Sequence, residues 1–200
     1  DKCIILMQVG SFYEIYSIED EISNYIYKIS DICNIQCSRK NKSIREVSIN
    51  NHLMAGFPLY TLNKFTNILL NHQYTIVLVK QISDPPSPER KVTEILSPGT
   101  NLNIENKHSN YMILLYFELI QNILIVGISG IDLSTGKTFV YETGSSKFDP
   151  EYTNEEVFRI ISTYNPCEII VLSDKQFDDE QKNNIMKYIN IQDKLIHYIW

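Results

Sequence analysis

The chain has 200 residues, 44% of them hydrophobic and 21% charged, with a formal net charge of −6. That is an ordinary globular balance, enough for one large domain or two small ones with a real core. No run approaches the roughly 18 apolar residues of a membrane span, because Ile4 to Val9 and Ile123 to Ile131 are broken by polar residues or Gly, so a soluble chain without a membrane partner is expected.

The chain opens in an apolar run without a Met, a basic leader or a cleavage site, and it stops abruptly at Trp200. Both ends are expected to be cuts from a longer protein. Cys3, Cys33, Cys37 and Cys167 sit inside apolar patterns at spacings that match no disulfide framework, which points to buried free thiols and a reducing, intracellular compartment. Cys33, Cys37 and His52 lack a fourth ligand at zinc spacing, so no metal site is expected. The acidity is uneven. Residues 1–105 hold 10 Lys and Arg against 11 Asp and Glu, whereas residues 106–200 hold 8 against 13. Within the first half, Arg39, Lys40, Lys42 and Arg45 fall in seven positions. That cluster suits either contact with a phosphate backbone or a solvated hairpin turn.

In chain order, Ile4 to Val9 and the alternating Phe12 to Tyr16 read as two strands joined at Gly10-Ser11. Ile18, Ile22, Ile26 and Ile29 recur at helical spacing after Ser17, marking an amphipathic helix whose stripe is core. Gln36 to Asn51 reads as a strand, the basic turn and a return strand, before Leu53 to Phe57 and Pro58. Thr61 is the expected N-cap of a helix running to Leu70. Tyr74 to Ile82 and Val92 to Leu96 are strands, separated by the Pro-rich connection from Asp84 to Pro88.

The polar segment Thr100 to Asn110 is the expected domain boundary. Beyond it, Tyr111 to Leu119, Ile123 to Asp132 and Lys137 to Tyr141 read as consecutive strands, the last two joined by a turn at Ser134-Thr135-Gly136. A helix from about Thr153 stops at Asn165-Pro166, Ile169 to Leu172 is a buried strand, and a last helix spans Phe177 to Ile189. Three antiparallel strands followed by helix, strand and helix is the order of a ribonuclease H-like α/β fold.

No phosphate-binding glycine loop is present, and none of the four histidines sits in a catalytic motif. A nuclease needs several converging carboxylates, for which Asp132, Glu168 and Asp174 are the candidates in the second half. The group Gly10-Ser11-Phe12-Tyr13-Glu14 offers different chemistry. DNA-kinking proteins insert an apolar side chain between base steps from the minor groove, and unstacking is easiest where pairing is already defective. A Phe at a strand tip suits that task, and Glu14, two positions on, projects to the same side to accept a hydrogen bond from a mispaired base. A core Phe is the alternative reading of the same pattern.

Several segments, in order, resemble motifs of the MutS family. Gly10-Ser11-Phe12-Tyr13-Glu14 is similar to its G-D-F-Y-E, Met54-Ala55-Gly56-Phe57-Pro58 to M-A-G-I-P, and Gln81-Ile82 with Asp84-Pro85 to E-Q-I-G-D-P. Pro88-Glu89-Arg90-Lys91-Val92 and Ser97-Pro98-Gly99-Thr100 resemble P-V-E-R-K-V and T-P-G-T. In the second half, the segment from Gly130 to Gly136 is similar to L-D-I-S-S-G, and Asn165 to Ile169 to N-P-A-E-L. The resemblance covers nearly the whole chain. It departs at Ser11, where Asp is usual, at Lys80, where an acidic residue is frequent, and at Tyr60-Thr61, which replaces a more polar pair.

The resemblance implies a mixed α/β chain of two domains. Residues 1–105 would be a mixed-sheet mismatch-recognition domain, and residues 106–200 a ribonuclease H-like connector domain, truncated at its C-terminus and without nuclease residues. It implies that Phe12 stacks beside a mispaired base in double-stranded DNA and that Glu14 hydrogen-bonds to it, with Arg39, Lys40, Met54 and Tyr60 supporting the duplex. It implies no catalysis and no cofactor within this segment. ATP, Mg, ATPase activity and a homodimer are expected of a full-length protein, with a downstream repair factor on the connector. The AT-rich coding bias suits a large DNA virus, a protist or an organelle. The other readings are a protein-interaction scaffold that no longer senses mismatches, and a nuclease.

Overall fold

The computed structural model describes residues 2–18, 24–101, 110–174, 177–189 and 194–199. The chain is mixed α/β and divides into two compact units, Asp1–Ser97 and Pro98–Trp200, each built on its own mixed sheet. The boundary expected near residue 105 falls in 102–109, outside the described residues.

The first unit contains β1 (Cys3–Val9), β2 (Phe12–Ser17), α1 (Asn24–Cys33), β3 (Cys37–Arg39), β4 (Leu53–Pro58), α2 (Leu62–Asn71), β5 (Thr75–Gln81) and β6 (Arg90–Leu96). Its sheet has the order β3-β4-β2-β1-β5-β6, with β1 and β5 parallel and the other pairs antiparallel. Alternation gives each strand one face toward the helices. Ile4, Leu6, Tyr13, Ile15, Phe57, Ile76 and Leu78 pack there against Ile29 and Cys33 of α1 and Phe65, Leu69 and Leu70 of α2. Ile5, Phe12 and Tyr16, one position out of phase, are exposed on the opposite face.

Three local expectations are corrected. Ile18 lies outside the helix and is exposed, because the chain leaves β2 there; Ile26 and Ile29 carry the buried stripe, and Ile22 lies outside the described residues. The helix ends at Cys33, with Asn34 in the left-handed region (φ 51°) and Ile35 N–H bonding back to Ser30 C=O. Thr61 stands at the N-cap position of α2, but its side chain makes no capping hydrogen bond to the helix. It closes a 3-10 turn over Leu59–Thr61, and its hydroxyl donates to Pro58 C=O at 2.6 Å. Of the thiols, Cys33 alone is buried, Cys37 and Cys167 are half-buried, and Cys3 is exposed on the edge of the apolar run.

The second unit contains β7 (Tyr111–Ile120), β8 (Ile123–Asp132), β9 (Lys137–Gly144), α3 (Tyr152–Tyr164), β10 (Glu168–Ser173), α4 (Asp179–Ile189) and β11 (Leu195–Ile199). The sheet order is β11-β10-β7-β8-β9; β7, β8 and β9 form an antiparallel meander, and β10 and β11 add parallel to β7 and to each other. Gln121 and Asn122, both at positive φ, make the two-residue turn between β7 and β8. Ile113, Leu115, Phe117, Val126, Ile128, Ile169 and Val171 form the sheet side of the core, against Val157 and Ile161 of α3 and Ile185 and Ile189 of α4.

The three candidate carboxylates do not converge. Asp132 and Glu168 share one end of the sheet, since Asp132 pairs with Tyr111 and Glu168 with Met112. Asp174 follows the other end of β10, six residues or about 20 Å away. Glu168 is occupied by Gly99 N–H at 2.9 Å and His197 Nε2 at 2.8 Å. Among the described residues, no three His, Cys, Asp or Glu side chains are grouped to hold a metal ion.

Asp132 instead locks the β8–β9 turn. It is fully buried and accepts both the N–H and the hydroxyl of Ser134, at 2.9 and 2.6 Å. The Ser134 hydroxyl, against the opposing effect of burial, holds its carboxyl below the ordinary value of 3.8. A lowered folded value means stabilisation that is present above the unfolded value and lost as pH falls through the folded one. Asp132→Asn keeps an acceptor but removes the titration. Urea midpoints measured across a pH series are expected to drop less steeply below about pH 4 in the variant than in the wild type.

Candidate nucleic-acid interface

The site is built from the hairpin between β1 and β2. Gly10, at φ 58°, takes the left-handed turn that brings Phe12 opposite Val9. Strand β2 is then held on both edges, with Phe12 opposite Pro58, Glu14 opposite both Met7 and Gly56, and Tyr16 opposite Met54. Tyr13 and Ile15 are buried, which anchors the strand and leaves 12, 14 and 16 on the helix-free face. Phe12 is 47% exposed at the tip, so the solvent-facing alternative to a core Phe is the one realised.

Beyond Pro58, Leu59 N–H bonds to Ser11 C=O at 3.0 Å, tying the 3-10 turn to the hairpin tip. Tyr60 projects from that turn at 88% exposure. Phe12, Glu14 and the half-buried Met54 therefore share one face, with Tyr60 beside the tip.

The basic residues are placed differently. Arg39 pairs with Leu53, a core-facing position, so its side chain stands on the helix side of the sheet, where Nη1 donates to Arg45 C=O at 3.4 Å and Nε is buried without a partner. Lys40, Lys42 and Arg45 are exposed on the loop between β3 and β4. That loop is not a simple hairpin turn. Asn51, 4% exposed, gathers it: its Nδ2 donates to Ile44 and Glu46 C=O at 3.2 and 2.8 Å, and its Oδ1 accepts Asn41 N–H at 2.7 Å. His52 packs edge-on against Tyr16 on the open face, whereas Cys33 and Cys37 belong to core clusters.

Two residues of this face, Tyr16 and Arg90, were not singled out from the sequence. The Tyr16 hydroxyl donates to Glu14 Oε2. Arg90 Nε donates to Gln8 C=O at 3.0 Å, bringing a guanidinium to the hairpin, and Gln8 Oε1 accepts Gln81 N–H at 3.1 Å. Parity along β2 was enough to find Tyr16; Arg90 and Gln8 are 82 residues apart, and no local signal links them.

Gly56 is the tightest point. A Cβ there would lie 2.7 Å from Tyr13 C=O and 3.1 Å from Glu14 Cγ. The nearer atom is backbone and cannot swing aside, so Gly56→Ala must displace β2 beneath Glu14. A loss of about 1–3 kcal/mol in urea denaturation is expected, where an Ala at exposed Lys42 should change stability little.

Residues 1–105 match the family described as MutS domain I. A DNA mismatch-repair mutS homolog of Acanthamoeba polyphaga mimivirus is 28% identical over 199 residues, covering 95% of this chain and 18% of that protein. The DNA mismatch repair protein MutS of Thermodesulfovibrio yellowstonii is 29% identical over 189 residues, covering 92% of this chain and 19% of that protein. The chain thus spans about a fifth of the length of these curated relatives. Superposition on a family B DNA polymerase of Pyrobaculum calidifontis covers 94% of this chain and 32% of that one, at 10% identity and a TM-score of 0.28, too low to carry an argument. Among the described residues no helix is long and apolar enough to cross a membrane. With the domain I match spanning over half of the chain and the MutS relatives nearly all of it, the chain belongs to the MutS family of DNA mismatch-repair proteins.

Proposed function

We propose that this segment recognises mismatched or unpaired bases in duplex DNA, with Phe12 as a minor-groove wedge and Glu14 as the hydrogen-bonding partner of the displaced base. The observation that carries this reading is the exposed Phe12 ring at a rigid strand tip, with Glu14 beside it on the same open face. An apolar ring inserted between base steps must be presented by a backbone that does not yield, and β2 is hydrogen-bonded along both edges. Met54 and Tyr60 supply apolar and aromatic surface around the wedge. Lys40 and its neighbours supply phosphate contacts from the loop, and Arg39, aimed at the helix side, shapes that loop through Arg45.

The second unit is proposed as the connector domain, with a ribonuclease H-like fold. Support comes from its meander of three antiparallel strands, continued by two parallel strands with α4 between them. The separation of Asp132, Glu168 and Asp174 argues against hydrolytic chemistry there. For the full-length protein we propose an ATP- and Mg-dependent ATPase acting as a homodimer, with a downstream repair factor engaging the connector. The test is the affinity of the full-length protein for a G·T duplex against a matched duplex of the same sequence. Tighter G·T binding is expected; equal affinities would sink the reading and favour an interaction scaffold.

A further inference from the structure

We propose that Tyr16 is the positioning residue of the mismatch probe: its phenol holds the Glu14 carboxylate by one oxygen, so that the other meets a base in a set orientation. The inference rests on the reading that Phe12 and Glu14 contact the mispaired base.

Positions 12, 14 and 16 share the open face of β2, and there the Tyr16 hydroxyl donates to Glu14 Oε2. The phenol is itself held. Its ring stands edge-on to His52 with centroids 4.9 Å apart, and its backbone pairs with Met54. Burial, then the hydrogen bond to Glu14, push the phenol's pKa far above its ordinary value, so it stays a hydrogen donor. Among the described residues nothing bonds Glu14 Oε1, which leaves one acceptor for an imino or amino N–H of a base.

The consequence is energetic. A free Glu side chain must give up rotamer freedom when it meets its target. A side chain already tethered has lost that freedom in the unbound protein, and binding is stronger for it. The wedge at 12 and the acceptor at 14 then arrive as one preset pair rather than as a ring beside a mobile chain.

Tyr16→Phe removes the hydroxyl and keeps the ring against His52. The experiment measures G·T and matched-duplex affinities of the full-length protein as wild type, Tyr16→Phe, Glu14→Ala, the double variant and Phe12→Ala. Tyr16→Phe is expected to lower G·T affinity about tenfold, with a faster dissociation rate and an unchanged thermal midpoint. In the Glu14→Ala background the same change is expected to add nothing, because the phenol acts only through that carboxylate. The positioning role is overturned if Tyr16→Phe leaves G·T affinity intact, or lowers it equally with and without Glu14, while Phe12→Ala still loses discrimination. If Phe12→Ala keeps its discrimination, the probe reading itself is wrong, and the role of Tyr16 goes with it.

Discussion

Phe12→Ala is expected to bring the affinity for a G·T duplex down to that for a matched one. Stacking of an aromatic side chain on a base contributes about 1–3 kcal/mol, or roughly fivefold to 150-fold in affinity, and a methyl group recovers almost none of it. On the proposed reading the wedge also determines the preference. Separating a base step costs a few kcal/mol, less where pairing is already defective, so a protein that inserts a ring favours the mismatch and a protein that inserts nothing does not. The nonspecific contact proposed for Lys40, Lys42 and Arg45 would not read this difference, and matched-duplex affinity is expected to change little. Because Phe12 is half exposed and outside both core clusters of its unit, thermal stability should stay within about 0.5 kcal/mol of the wild type. Fluorescence anisotropy on the two duplexes, with a thermal melt of each variant, separates these effects. A Phe12→Ala protein that still prefers G·T would assign the wedge elsewhere.

The largest loss of stability is expected from Phe57→Ala. Phe57 is 1% exposed, sits on the helix side of β4 directly opposite Tyr13, and stacks on Phe65 of α2 with centroids 4.3 Å apart. Truncation leaves a cavity between strand and helix, and Phe-to-Ala changes in such settings cost about 3–5 kcal/mol. A domain of this size is stable by only about 5–15 kcal/mol, so the urea midpoint should fall steeply. DNA binding would fall with it, since Gly56 and Pro58 on either side of Phe57 brace the strand that carries Glu14 and Phe12. Phe57→Leu, which retains most of the volume, is expected to recover much of both. A loss below about 1 kcal/mol for Phe57→Ala would mean that the site collapses onto smaller residues and that β4 is not held through this contact.

What was legible in the sequence follows from the range over which each signal acts. The alternation from Phe12 to Tyr16 already assigned Phe12 and Glu14 to one face, because side-chain direction in a strand depends only on parity; the burial of Tyr13 and Ile15 shows that this face is the open one. Gly10 announced the turn, and the Asn165-Pro166 stop of α3 is realised with Asn165 in the left-handed region, a purely local preference. The mixed α/β character and the meander of the second unit were readable for the same reason.

Tertiary structure decided the rest. Arg39 faces the helices and not Phe12 because β3 takes its register from Leu53, fourteen residues away, through a loop whose shape depends on the buried Asn51 side chain. Strand β11, five residues at the end of the described chain, exists through its parallel pairing with β10. The engagement of Gln8 by Arg90 needed a neighbouring strand to bring the guanidinium into place, and the Tyr16 ring meets His52 only through the pairing of β2 with β4. By itself, the sequence put Phe12 and Glu14 on one side of one strand and left open whether that side faces the core. Only the packed sheet decided that this face is open and which charges stand beside it, since pairing register is set by nonlocal contacts that periodicity cannot encode.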